Sequence, residues 1–180
     1  MVGYVALRED LLWLLDDTQQ RRLLTLTPAD LDGGRADWAL ALAETYYRRG
    51  DRTKARAYGD SAVAAYVPLI PHALSDGDRA QFIGLQALAL ACGGDTRTAI
   101  AKGEAALNRA TTVPPWQQAY VQSLLVRVLI IAGQHERALD LLEPLVRSRT
   151  SRISPGYLRI NGDYDPLRGN PRFERLASGS

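Results

Sequence analysis

One pattern of glycines and alanines recurs along this chain and limits what it can fold into. Gly50-Asp51 is followed by Ala55, then by Gly59-Asp60 and Ala62. Gly94-Asp95 is followed by Ala99, then by Gly103-Glu104 and Ala106, at identical spacings. A looser third copy places Ala138 at the same distance after Gly133. A methyl group carries no chemistry, so catalysis has little use for the same alanine three times over. Stacked helix-turn-helix units do use it, because a small side chain beside a tight turn lets two helices approach closely. The pattern predicts helical hairpins and a function in the binding class.

The flanking residues agree. A glycine in the left-handed conformation commonly ends a helix, and an aspartate after it can cap the next one. Before Gly50, the residues Trp38, Ala39, Leu42, Ala43 and Tyr46 share one helix face; after it, Ala55, Tyr58, Gly59, Ala62 and Tyr66 share another. Pro68 and Pro71 stop this second helix. The next pair carries Ile83, Ala87 and Leu90, then Ala99, Gly103, Ala106 and Leu107. The third carries Trp116, Tyr120, Leu124, Leu125, Val128 and Leu129, then Ala138, Leu141, Leu142 and Leu145. Pro144 falls inside that last helix and predicts a kink or an early end.

Segments outside the repeats read differently. Val5 to about Leu24 predicts one helix with Leu7, Leu11, Leu14 and Leu15 on its apolar face. Thr27-Pro28 reads as a cap with a first-turn proline. Beyond Ser148, the pairs Ser154-Pro155, Asp165-Pro166 and Asn170-Pro171 each predict the start of a short helix. Tyr157, Leu158, Ile160, Tyr164, Leu167, Phe173 and Leu176 make that ending too apolar for a free tail, so it is expected to fold back and cover the last repeat. The expectation is one domain, with residues 1–34 as N-terminal helix and linker, 35–150 as repeats and 151–180 as a cap.

Small residues also stand seven positions before each turn glycine (Ala43, Ala87, Val126), with larger ones four before it (Tyr46, Leu90, Leu129). This packing grammar resembles the tetratricopeptide repeat over about residues 36–147. The turn glycines are 44 and 39 residues apart, against about 34 in that repeat; the proline-bounded segments can hold the excess. Where the usual repeat has a bulky residue nine after the turn, Gly59 and Gly103 stand here, and a close crossing of neighbouring helices would explain them. The resemblance implies an all-α, right-handed α-solenoid of about three repeats. It further implies that ligands lie on the concave face formed by the first helix of each repeat. Carried over position by position, that face holds Asp37, Glu44, Tyr47 and Arg48, then Gln81 and Leu88, then Tyr120, Ser123, Arg127 and Ile130. Arg48 and Arg127 suit an acidic group, unless they pair with Glu44. Separately, the stretches 8–24 and 154–176 resemble the repeat region that follows the kinase domain of certain bacterial serine/threonine kinases, and the endings of related regulators. None of the kinase motifs is present, so this resemblance implies a regulatory part without the enzyme.

Composition narrows the remaining classes. A formal charge of +2 with scattered arginines gives no nucleic-acid footprint. The longest apolar run, around Val121 to Ala132, contains Gln122 and Arg127 and is too short to span a membrane. Cys92 is the only cysteine, so no disulfide can form within the chain. His72 and His135 lack metal-ligand spacing to each other or to Cys92. The acidic stretches 30–34 and 163–165 resemble calcium loops in flavour only, and caps and turns explain them better. No catalytic, metal or cofactor motif occurs. The expected function is binding of a protein or peptide partner, either in the cytoplasm or in an extracytoplasmic part of a membrane-anchored parent protein. Self-association as a homodimer and sensing of a small ligand are the alternatives.

Overall fold

The turn glycines behave as their spacing predicts. In the computed structural model, which describes residues 11–31 and 34–179, Gly50, Gly94 and Gly133 adopt φ values of 78°, 92° and 72°. These lie in the left-handed region that glycine enters without steric cost. Each one joins a pair of helices: α2 (Arg35–Arg48) to α3 (Arg52–Tyr66), α4 (Asp76–Gly93) to α5 (Thr96–Arg109), and α6 (Pro115–Ile131) to α7 (His135–Arg147). Asp51 and Asp95 cap α3 and α5, accepting from the backbone N–H of Lys54 and Thr98. Ser75 caps α4 in the same way through Asp78. All the described residues lie in helices, turns or loops, with no β-strand among them.

The small-residue seam is buried throughout. Ala43, Ala87 and Val126 before the turns, and Ala55, Ala99 and Ala138 after them, have no exposed surface. Within each pair the two helices pack on one another; α3 also packs on α4 and α5 on α6, while α2 packs on α4 and α4 on α6. The unusual glycines sit at these crossings. A Cβ on Gly59 would lie 2.7 Å from the Ala89 carbonyl oxygen of α4, and one on Gly103 would lie 2.7 Å from Leu125 Cδ1 of α6. The expected close crossing is present at both positions.

Four local expectations need correction. The N-terminal segment is not one helix to Leu24. A 3-10 turn over Leu12–Leu14 gives way to an extended Leu15, and α1 (Asp17–Leu23) then starts afresh. The cause is a capping box, in which Asp16 accepts from the Gln19 N–H and the Gln19 side chain accepts from the Asp16 N–H. Leu12, Leu15 and Leu23 are buried against Ala41, whereas Leu14 is exposed; Leu7 falls outside the described residues. Second, α7 does not end early at Pro144 but runs through it to Arg147. Leu145, beyond the proline, is buried and holds the helix in place while the Pro144 ring faces solvent. Third, Trp116 is exposed rather than on the packed face of α6. Fourth, Asp165-Pro166 does not start a helix. A 3-10 turn over Gly162–Leu167 begins at Asn161, whose side chain accepts from the Asp163 N–H.

The ending folds back as expected, except that Ile160 stays exposed. Ser154 and Asn170 cap α8 (Pro155–Ile160) and α9 (Pro171–Ser178). Leu158, Tyr164, Leu167 and Phe173 are buried with the residues of α6 and α7 in one core. Arg172 ties α9 to α7 by bonding Glu136, Asp140 and Glu143 at 2.9–3.1 Å.

Candidate functional site

The predicted ligand face carries a charged cluster built from three parts of the chain. Glu44 and Arg48 lie one turn apart on α2, so their side chains share a face. Arg127 projects from α6, and Asp163 from the 3-10 turn of the C-terminal segment. Glu44 accepts a bond from Arg127 and lies 3.9 Å from Arg48. Asp163 pairs with Arg48 through one oxygen and with Arg127 Nε, at 3.3 Å, through the other. Each arginine therefore meets both carboxylates, and each carboxylate meets both arginines. The cluster is electrically neutral. Glu44 and Arg127 have side chains only 9% and 10% exposed, where an unpaired charge would cost several kcal/mol. One donor is left over: Arg48 Nε is buried without a hydrogen-bond partner, a defect worth about 1–3 kcal/mol.

Beside this cluster opens a cavity of about 470 Å³. Helices α2 and α6 supply Tyr47, Ile130 and Ile131 to its wall, and the C-terminal segment supplies Gly162, Asp165 and Pro166. Arg52 lies 4.0 Å over the Tyr47 ring, a cation–π contact that fixes the ring at the rim. Gln20 of α1 closes one side. The N-terminal segment also reaches the C-terminal one directly, with Trp13 edge-on to Tyr157 of α8 at 5.6 Å between centroids. Cys92 lines the cavity from α4; burial, reinforced by the Glu44 carboxylate, pushes its thiol well above the ordinary range, which leaves it protonated and unreactive.

Of the ten residues expected on the ligand face, Glu44, Tyr47, Arg48, Arg127 and Ile130 come together at this cavity. The others do not line it. Asp37 accepts a 2.5 Å bond from the Tyr66 hydroxyl and so ties α2 to α3. Leu88 has no exposed surface and belongs to the core. Ser123 donates to the Tyr120 carbonyl within α6, and Tyr120 and Gln81 are half-buried. Sequence reasoning did not place Gln20, Arg52, Gly162, Asp163, Asp165 or Pro166 at the site. The stretch 163–165 stood out only as an acidic turn, and nothing local indicates that Asp163 reaches the arginines of two distant helices. The second acidic stretch, 30–34, lies partly outside the described residues; Asp30 accepts from the Thr27 backbone and hydroxyl. Among the described residues, no group of three or more His, Cys, Asp or Glu side chains is placed to hold a metal, and no helix is long and apolar enough to cross a membrane.

No protein-family model, curated protein or solved structure matches this chain.

Proposed function

We propose that this chain is a non-catalytic protein-interaction module. In this reading it is a tetratricopeptide-like, right-handed solenoid of three hairpins that binds a peptide or helix of a partner beside Tyr47, Arg48, Arg127 and Ile130. The observation that carries the reading is the repeated seam. Three pairs of helices close on buried small residues at the same distance from a left-handed glycine. Successive pairs stack with the first helix of one against the first helix of the next. Such stacking aligns the first helices side by side and so generates an extended surface for a partner. The tyrosine, arginine and isoleucine side chains at the cavity are of the kind that dominates interface energetics. The bacterial signalling context rests on the resemblance of the two ends alone.

Affinity capture from a bacterial lysate tests this. Arg127→Ala is a poor probe, since removing one member of a buried pair can cost about 3–5 kcal/mol and unfold the chain. Tyr47→Ala and Arg52→Glu change the rim and leave the buried cluster intact. The reading predicts a protein captured by the parent chain and lost by both variants. Capture unchanged by either variant would move the binding surface elsewhere. A parent chain that captures nothing and doubles in mass with concentration in light scattering would favour self-association instead.

A further inference from the structure

The turn glycines mark one end of the hairpins. At the other, open end, each second helix closes and the next first helix begins, and a few contacts gather these ends into one face. Gly77, at the start of α4, leaves room for the Gln117 side chain at the start of α6. Arg79 of α4 donates from Nε to the Ile70 carbonyl at 3.2 Å and so holds the 67–74 connection in place. Asp76 meets Arg79 at 2.9 Å and lies 4.0 Å from Arg109, the last residue of α5. Gln122 of α6 donates to the Leu141 carbonyl of α7 at 2.7 Å. Trp116 stands six residues before Gln122, and Arg147 six after Leu141, so in antiparallel helices both emerge at this end.

The open end exposes two things that a chain in water gains nothing from showing together. Val67, Leu69, Leu74 and Trp116 are four of the six large apolar side chains exposed among the described residues. One exposed leucine means little, whereas a gathered set marks an interaction site. Leu74 is 98% exposed and Trp116 60%, so they stand out from the surface rather than line a cleft. The second feature is charge. The 147–154 linker carries three arginines and no acid. Arg147, Arg149 and Arg152 are exposed, and none of them pairs with a carboxylate among the described residues. Asp76 is already shared by Arg79 and Arg109, so it does not offset them.

Protruding apolar tips beside unpaired guanidinium groups suit a partner that is deformable, apolar beneath and anionic at its surface. A protein would need a matching pocket for each tip; a lipid interface accepts them as they stand. Tryptophan favours the headgroup level of a bilayer, aliphatic side chains reach the acyl boundary, and guanidinium groups match lipid phosphates in geometry and charge. We infer that the open end of the hairpins docks peripherally on an anionic lipid surface. Leu74 and Trp116 enter the acyl boundary, and Arg147, Arg149 and Arg152 hold the headgroups. The cavity lies at the opposite end, where Tyr47 and Arg52 flank Gly50 and Ile130 and Ile131 precede Gly133. Lipid docking therefore leaves it open, and holds whether or not that cavity takes a protein partner.

Co-sedimentation of the full-length chain with vesicles tests the inference. The vesicles are phosphatidylcholine alone, or phosphatidylcholine and phosphatidylglycerol in equal parts. The parent is expected to bind the mixed vesicles at least about tenfold more tightly than the neutral ones. Leu74→Ser with Trp116→Ser, and separately Arg149→Gln with Arg152→Gln, are each expected to lower that binding at least about fivefold. All four side chains are exposed, so the fold is kept. Arg56→Gln with Arg97→Gln removes the same charge from exposed positions near the turn end and is expected to change binding less than about twofold. On mixed vesicles, bromine-labelled acyl chains are expected to quench the parent's tryptophan emission, and Trp116→Phe is expected to lose that quenching while still sedimenting. Equal binding to both vesicle types, an equal loss in the Arg56 and Arg97 variant, or no quenching in the parent overturns the inference. So does lipid-free dimerisation in light scattering that the Leu74 and Trp116 variant abolishes, which would give this face to a second copy of the chain.

Discussion

Gly59 and Gly103 occupy equivalent places in successive hairpins, yet alanine at the two should have different consequences. In a helix interior, alanine is favoured over glycine by about 1 kcal/mol, so each substitution starts with the same gain. At Gly59 the new methyl would lie 2.7 Å from the Ala89 carbonyl oxygen and 3.5 Å from Gly93 Cα, both on α4. Both obstacles are backbone, and relief requires α3 and α4 to move apart. Overpacking of that kind costs about 1–3 kcal/mol, and the broken seam places it at the upper end. The net loss at Gly59 should be about 1–2 kcal/mol. At Gly103 the obstacle at 2.7 Å is the tip of the Leu125 side chain, which can rotate away, so the two terms nearly cancel and the net change stays within about 0.5 kcal/mol. For a chain of this size, each kcal/mol moves the melting temperature by about 2–4 °C. Thermal unfolding followed by circular dichroism should therefore show Gly59→Ala about 2–8 °C below the parent, with Gly103→Ala close to it. A rise in melting temperature for Gly59→Ala would falsify the close crossing of α3 and α4.

Other consequences concern charge. Glu44→Ala strips a buried arginine of one partner and should cost about 3 kcal/mol, whereas Glu104→Ala, which breaks the half-exposed pair with Arg137, should cost no more than about 1 kcal/mol; urea denaturation of both variants separates the cases. Bonds from Arg172 and Asn170 hold the Glu136 carboxyl below the usual carboxylate range. With its folded value depressed, its contribution is present above the ordinary glutamate range and is lost as pH falls through the folded value. Carbon NMR titration should find Glu136 titrating low in the parent and returning upward in Arg172→Ala; an unchanged value would remove the tie between α9 and α7. Burial, with the Asp37 carboxylate adding to it, raises the Tyr66 phenol well above its ordinary range. The associated stability is present below the ordinary tyrosine value and is lost as pH rises through the folded one. Absorbance at 295 nm should show Tyr66 ionising only as the chain unfolds in base, and Tyr66→Phe removing that step; ionisation of Tyr66 in the folded chain near its ordinary value would contradict this.

The hairpins were legible because their signals are local. A left-handed glycine, a capping aspartate and an alanine at fixed spacing state the turn, the next helix start and the packing distance without knowledge of anything remote. Gly59 and Gly103 announced a close approach for the same reason. Where a reading rested on apolar periodicity alone, it was weaker. The leucines from Leu7 to Leu15 suggested one continuous helix, and the Asp16–Gln19 capping box that breaks it went unread. Pro144 shows the converse: the early helix end it suggested is absent, and Leu145 beyond it is buried. The site divides along the same line. Arg48 and Arg127 could be assigned to one face through the resemblance to the tetratricopeptide repeat, but their partner Asp163 comes from a turn packed through Tyr164, Leu167 and Phe173. No spacing rule connects those residues to α2.

The partner-binding face is most directly tested by photo-crosslinking in native cells. A benzophenone side chain would replace Tyr47 at the cavity rim in one strain and Arg97, exposed at the start of α5, in another. The account predicts a covalent adduct with a second, different polypeptide from position 47 and none from position 97. An adduct from position 97 alone, or a product at position 47 that contains only a second copy of this chain, would contradict it.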